Sequence, residues 1–269
     1  MSGLTNRKSG FFAAAVVLLM YLLRVTDGDD KQSYFRILVD GLRHQAHSTA
    51  GAMLYSSDLW FTILIPLLVA VPFLFPLEDA LQGGCWRLQV SRTGIRGFLL
   101  RSHLSNLTAG TLFAVLGYAV YALLCFLCLP NRFDFNYDTG EVIYYRTLPD
   151  LAELGGILLR LLTFALSCAL TASFCILMMQ LTKNKFRGIG IPMILNYQLD
   201  TLSGKLVVQT VPFDNRWELL SPSALLSNTD AWFTRTFLVP LWLLYAGVLL
   251  LIFLLNAASV SLMRRRVRW

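Results

Sequence analysis

Three short groups of residues carry side chains that could take part in chemistry. His44 and His47 are three residues apart, a spacing that puts two imidazoles on one face of a helix, where they could bind a metal ion. The sequence dictates no third ligand nearby, so a solvated pair of histidines is the favoured interpretation. The adjacent carboxylates Glu78 and Asp79 could act as a general acid and base, but their own segment offers no histidine to work with them.

The third group is the tetrapeptide Leu202-Ser203-Gly204-Lys205, which is similar to part of a phosphate-binding loop. Position 199 is Leu where such a loop needs Gly, so we expect no nucleotide site here. The sequence also has no H-E-x-x-H zinc motif and no G-x-S-x-G nucleophile motif. We therefore expect no catalytic, cofactor-binding or metal-binding residues in this chain. If ATP powers its activity, a partner must hydrolyse it.

The most informative segment covers residues 76–101, which are basic, amphipathic and interrupted by glycines. Its apolar residues recur at helical spacing and form one stripe: Leu77, Leu81, Cys85 and Leu88. Its charged residues are four arginines against two acids: Arg87, Arg92, Arg96 and Arg101 against Glu78 and Asp79. This pattern predicts a short helix at the membrane surface that receives a partner.

The elements that must position this segment are membrane helices, because the chain is too apolar for a soluble domain. Of its 269 residues, 56% are hydrophobic and 14% are charged, and a helix needs about 20 mostly apolar residues to cross a bilayer. The apolar runs predict an all-α, polytopic membrane protein with a single domain over residues 1–269. The six predicted transmembrane helices are residues 10–25, 59–76, 104–128, 155–181, 188–199 and 236–262.

The positive charges test this topology independently. With both termini and the second-to-third and fourth-to-fifth connections in the cytoplasm, that side holds thirteen of the 23 Lys and Arg residues but two of the 16 Asp and Glu residues. Cytoplasmic loops are enriched in Lys and Arg, so the pattern predicts six spans with cytoplasmic N and C termini. The net charge of +7 is then a signal of topology, and we expect no binding to nucleic acid.

The fifth apolar run, residues 188–199, is short for a membrane span. Either the span continues past Asn196 and Tyr197, or an extracytoplasmic or re-entrant segment follows it. Asn196, Tyr197 and Gln198 could then line a polar pathway, and the alternative is that they lie at the interface at an ordinary helix end. A strand-like patch over residues 205–211 comes next.

This arrangement resembles the permease subunits of type-two ABC exporters. Members of that family have six spans with both termini inside, and the order Glu, Gly, a short apolar run, Arg and a final Lys or Arg between the second and third spans. The matching residues here are Glu78, Gly83 and Gly84, Leu88 and Val90, Arg92, and Arg101, with Arg96 between the last two. The short fifth span before an outer segment is also similar to that family.

The resemblance implies a coupling helix that contains these residues and fits a cleft on a cytoplasmic ABC ATPase. Two permease chains, identical or related, would form the translocation pathway, and ATP and Mg²⁺ would bind to the partner ATPase subunits. The chain would be a multi-pass protein of the bacterial cell membrane in contact with membrane lipids. Its few intramembrane charges favour an amphipathic or hydrophobic cargo, such as a peptide, a drug or a lipid.

Three other interpretations are compatible with parts of this pattern. The arginines could enforce topology and bind anionic lipid headgroups without coupling to an ATPase. The chain could be a non-transporting scaffold or sensor whose outer loops recognise a ligand. An intramembrane enzyme would require polar residues that converge at mid-membrane, and the sequence does not predict such a group.

Overall fold

The computed structural model describes residues 7–23, 33–39, 59–83, 86–129, 134–136, 141–143, 153–209 and 241–267. These residues form helices and one antiparallel pair of strands, in which Phe135 lies opposite Val142. The all-α prediction is therefore correct except for this hairpin. In chain order the elements are α1 (Arg7–Leu23), α2 (Tyr34–Val39), α3 (Leu59–Gln82), α4 (Trp86–Cys128), β1 (Asp134–Asn136), β2 (Glu141–Ile143), α5 (Glu153–Thr182), α6 (Lys185–Gln209) and α7 (Leu241–Val267).

Three of the described helices contain a stretch that is long and apolar enough to cross a membrane. These stretches are Leu107–Cys128 in α4, Leu161–Thr182 in α5 and Tyr245–Arg265 in α7, and α1 contributes a shorter one, Gly10–Leu23. A stretch of about 20 apolar residues matches the thickness of the hydrocarbon core. The described chain thus has the character of a membrane protein.

Contacts along their lengths show that α1 and α4 run in the same direction. Phe11 packs edge-on against Phe113 with 5.3 Å between ring centroids, and ten residues later Tyr21 stacks on Tyr121 at 4.9 Å. The helices α5 and α7 are also parallel. Thr163 and Tyr245 are joined through their hydroxyl groups at 2.8 Å, and further along both helices the Asn256 amide donates to Ser173 at 3.0 Å.

A two-residue turn joins α5 to α6, so these two helices are antiparallel. Lys183 adopts a φ of 52° in this turn, and Asn184 caps α6 because its Oδ1 accepts hydrogen bonds from the backbone of Phe186 and Arg187. The end of α3 lies beside the start of α6, where Asp79 pairs with Lys185 at 2.6 Å. We call this end of the bundle the loop end.

The directions of the helices fix where the ends of the described chain lie. Since α4 starts at the loop end and α1 is parallel to it, Arg7 is at the loop end. Since α5 finishes there and α7 is parallel to α5, Val267 is at the loop end as well. The start of α1 and the end of α7 thus lie on one side of the bundle.

The core is richest in aromatic rings where α1, α4 and α5 meet. Tyr118 stacks on Phe164 with 4.4 Å between centroids, and Tyr21 lies 4.9 Å from Tyr118. All three rings are buried, as is Tyr121 beside them. Offset or tilted ring pairs stabilise a core beyond the burial of their area. This cluster fixes α1 against the centre of the bundle.

The helix that corresponds to the fifth predicted span, α6, is longer than the sequence predicts. The predicted span ended at residue 199, whereas α6 continues without interruption from Lys185 to Gln209. The apolar run does stop near Leu195, but helical hydrogen bonding does not require apolar side chains, and Thr201 even bonds back to the carbonyl of Tyr197 at 2.8 Å. The predicted strand-like patch is therefore wrong over residues 205–209, which are helical.

Candidate functional site

The predicted coupling segment, residues 76–101, is divided between two helices instead of forming one. Its first part is the last two turns of α3, which ends where the Gly83 amide donates to the carbonyl of Asp79 at 2.8 Å. Its second part opens α4 at Trp86. Because the helix stops at Gln82, Leu77 and Leu81 do not share a helix face with Leu88, and the predicted continuous stripe is wrong. Gly84 and Cys85 lie outside the described residues.

Glu78 lies inside the bundle, with no exposed surface. Its neighbours along α3, Leu74, Leu77 and Leu81, are also buried, and Gln82 Nε2 donates a hydrogen bond of 2.9 Å to Glu78 Oε1. A buried carboxyl group must have hydrogen-bond partners, because its desolvation is costly. Glu78 can therefore hold the end of α3 in place, but in this arrangement it does not present a surface to a partner protein.

The first eight residues of α4, residues 86–93, form a short helix of their own, which we call the loop helix. It ends at Gly94, where φ is 72° and ψ is 159°, a combination open essentially to glycine alone. Trp86 and Val90 pack against the core, while Arg87 and Arg92 are exposed. The described residues thus contain a short amphipathic helix within the predicted segment, and Arg96 and Arg101 lie beyond its end, on the main part of α4.

Substitution of Gly94 by Ala tests whether this backbone break defines the loop helix. A Cβ at a φ of 72° meets no neighbouring atom, so we expect the cost to come from backbone strain, about 1–3 kcal/mol. Gly97→Ala is the matched control, because its Cβ makes an ordinary 3.6 Å contact with Thr93 inside regular helix. Thermal unfolding in mild detergent should show a lower midpoint for Gly94→Ala. Equal midpoints for the two variants would contradict a strained break.

An ion pair and a group of aromatic contacts connect the end of α3 to the start of α6. Lys185 Nζ bonds to Asp79 Oδ1 at 2.6 Å and lies 5.1 Å from the centre of the Phe75 ring. Phe75 in turn packs edge-on against Phe186, with 5.6 Å between centroids. The sequence assigned Lys185 only to the charge bias of the cytoplasmic side. The structure shows that it also joins the segment before the loop helix to the start of α6.

The residues predicted to line a pathway lie together in the middle of α6. Asn196 is half-buried, and Tyr197 and Gln198 are exposed on the described surface. The ATPase-like tetrapeptide Leu202-Ser203-Gly204-Lys205 lies further along the same helix. A phosphate-binding loop wraps its backbone around the phosphates, so this helical tetrapeptide cannot form one in this conformation.

A polar junction, which the sequence analysis missed, joins three helices inside the bundle. It consists of His103 on α4, Ser173 on α5 and Asn256 on α7, and both His103 and Ser173 are buried. Part of the signal was available in the sequence, since Asn256 and Ser173 are polar residues within two predicted spans. The sequence predicted no group of polar residues converging at mid-membrane, and these three side chains are a polar group inside the bundle.

Neither the described residues nor the comparisons with known proteins identify a chemical activity. The described part of the chain holds no group of three or more His, Cys, Asp or Glu residues that could bind a metal ion, and His44 and His47 lie outside it. No family model matches the sequence, and neither a curated protein nor a solved structure matches it.

Proposed function

We propose that this chain is the transmembrane subunit of an ATP-driven exporter, with a second permease chain and separate cytoplasmic ABC ATPase subunits as partners. In this proposal it crosses a bacterial cell membrane six times, and its loop end faces the cytoplasm. Its cargo is an amphipathic or hydrophobic molecule, and ATP and Mg²⁺ bind to the ATPase subunits. The proposal rests on the resemblance of residues 78–101 to the coupling segment of type-two exporters.

The structural observation that carries the proposal is the loop helix. The end of α3 at Gln82 and the backbone break at Gly94 separate it from α3 and from the main part of α4. Its apolar side packs on the bundle through Trp86 and Val90, and its outer side presents Arg87 and Arg92. A short rigid helix with a basic outer face suits a cleft on a partner that carries acidic groups.

Two contacts give such a helix a mechanical connection to the rest of the bundle. Glu78 holds the buried end of α3, directly before the loop helix. Asp79 is joined to Lys185 at the start of α6, and α6 carries Asn196, Tyr197 and Gln198 further along. A displacement of the loop helix by a closing ATPase would then reach α6, and these three side chains would line the pathway between two permease chains.

Co-purification tests the proposal. An affinity-tagged chain extracted gently from native membranes is expected to bring down an ABC ATPase, and Arg87→Ala with Arg92→Ala should reduce its recovery at least tenfold. Arg36→Ala is the matched control, because Arg36 is also exposed but lies on α2, so its replacement should leave recovery unchanged. A stable chain that never recovers an ATPase would overturn the proposal and favour the scaffold or sensor alternative.

A further inference from the structure

The polar junction has a defined set of hydrogen bonds. The Asn256 side chain donates from Nδ2 to Ser173 Oγ at 3.0 Å and to the carbonyl of Ile252 at 2.7 Å. The Ser173 hydroxyl donates to the carbonyl of Ala169 at 2.7 Å. Asn256 Oδ1 is hydrogen-bonded to Nε2 of His103. One asparagine on α7 thus joins that helix to both α4 and α5.

These bonds determine the tautomer of His103. A backbone carbonyl can only accept, so the amide nitrogen of Asn256 must point toward Ile252, and its oxygen must point toward His103. An amide oxygen also only accepts, so Nε2 of His103 carries the hydrogen. Nδ1 of the neutral ring then carries a lone pair, which can accept a hydrogen bond or a proton.

Among the residues that the structure describes, none gives Nδ1 of His103 a hydrogen-bond partner, although the side chain is only 4% exposed. A buried polar atom without a partner destabilises the folded state, because the hydrogen bond that water gave it is not replaced. In the described part of the chain, the hydroxyl of Ser259, one turn beyond Asn256 on α7, is likewise buried without a partner. A buried acceptor in this state calls for a physical explanation, and a proton or a water bound at Nδ1 would satisfy it.

The helix that this junction holds is the least buried of the three apolar helices. In the apolar stretch of α7, 11% of the residues are buried, compared with 33% in α4 and 39% in α5. The side-chain hydrogen bonds between α7 and the other helices include those of the junction and the pair of Thr163 with Tyr245. Asn256 therefore contributes to the position of the middle of α7 in the bundle.

We propose that Nδ1 of His103 is a proton-binding site and that its protonation releases α7 from α4 and α5. Protonation turns the lone pair into an N–H donor for which the junction provides no acceptor, and it places a full positive charge among buried groups. The free-energy cost of the unpaired donor and of the buried charge is relieved when α7 moves away, because water can then reach and hydrate the ring. The proton site does not depend on the exporter proposal.

The surroundings of His103 favour its neutral form at neutral pH. His103 precedes the apolar stretch of α4, and burial lowers its pKa below the ordinary value of 6.5, while the hydrogen bond to Asn256 opposes this change. No carboxylate or cation of the described residues contributes to the shift. On the elements packed against α4, the ionisable side chains that the structure describes are Tyr21 on α1, Arg36 on α2, Glu78 and Asp79 on α3, Cys168 and Cys175 on α5, and Tyr245, Arg264 and Arg265 on α7.

The direction of this shift determines the pH dependence of folding. Below pH 6.5 the unfolded chain binds a proton at His103 before the folded chain does. The unfolded state is then favoured about tenfold for each further pH unit, until the pKa of the folded state is reached. Acidification from pH 7.5 to pH 5.5 should therefore lower the midpoint of thermal unfolding and increase hydrogen exchange in α7.

A variant with a single histidine makes the test direct, because the chain contains three histidines. In full-length His44→Gln/His47→Gln protein labelled with ¹⁵N-histidine, NMR is expected to show a ring protonated at Nε2 alone at pH 7.5, with an apparent pKa below 6.5. Adding His103→Gln keeps a side-chain donor for Asn256 but removes the titration. In this triple variant the thermal midpoint should no longer fall between pH 7.5 and pH 5.5. Hydrogen exchange in α7, corrected for intrinsic exchange rates, should be equal at these two pH values.

Two results would overturn the proposal. One is an Nδ1–H tautomer, or a pKa at or above 6.5, in the single-histidine protein. The other is an undiminished pH dependence of α7 exchange when His103→Gln is added. If the His103→Gln chain does not fold, the NMR titration of the single-histidine protein still decides the matter.

Discussion

Substitution of Gly117 by Ala is expected to force α1 away from α4 and to lower the free energy of unfolding by about 3 kcal/mol. A Cβ at this position would lie 2.4 Å from the carbonyl oxygen of Ala14 and 2.9 Å from Cβ of Val17. The first of these atoms belongs to the backbone of α1, so a rotamer change cannot relieve the clash. Displacement of α1 would also separate Tyr21 from Tyr118 and Tyr121. Denaturant unfolding in mild detergent measures the loss.

Gly247→Ala is the control for this prediction. Gly247 lies within α7, and a Cβ there would meet nothing within 4 Å. Alanine is the better helix former, so this variant should be neutral or more stable by up to about 1 kcal/mol. If Gly117→Ala were as stable as Gly247→Ala, the close packing of α1 on α4 would be incorrect.

Substitution of Glu78 by Ala is expected to cost about 2 kcal/mol of unfolding free energy and to release the end of α3 from the bundle. The variant removes a fully buried side chain and its hydrogen bond with Gln82, and it leaves a cavity beside Leu74, Leu77 and Leu81. Hydrogen exchange over residues 74–82 should rise together with the loss of stability measured by denaturant.

The isosteric variant Glu78→Gln tests whether the volume and hydrogen bonding of this side chain, as opposed to its charge, stabilise the end of α3. Its amide oxygen can still accept from Gln82 and its volume fills the same space, so it should keep most of the stability. Arg92→Ala should leave stability unchanged, because Arg92 is exposed. If Glu78→Ala were as stable as Arg92→Ala, Glu78 would not hold α3 in the way that its burial indicates.

The apolar helices could be predicted from the sequence because their signals are local. The predicted spans 104–128, 155–181 and 236–262 contain most of the apolar stretches Leu107–Cys128, Leu161–Thr182 and Tyr245–Arg265, since length and hydropathy alone determine such a stretch. The end of α6 could not be predicted in the same way. Its apolar run stops ten or more residues before its backbone hydrogen bonding does.

The candidate site depends on contacts that local patterns do not reveal. Gly94 looks like any glycine within a helix-forming run, and the resemblance to the exporter family drew attention to Gly83 and Gly84 instead. The burial of Glu78 depends on α3 packing against other helices. His103 is flanked by polar residues that are typical of an interface, so only its contact with Asn256, 153 residues away, shows that it is an interior group.

The close fit of α1 against α4 also has a consequence for biosynthesis. The contacting residues, such as Phe11 with Phe113 and Tyr21 with Tyr121, are about 100 residues apart in the chain. At a synthesis rate of 5–20 residues per second, α1 must wait roughly 5 to 20 s before the ribosome has produced its partner helix. During that interval the rings of Phe11 and Tyr21 lack their native partners on α4, so an insertase or chaperone that shields the nascent α1 would favour folding.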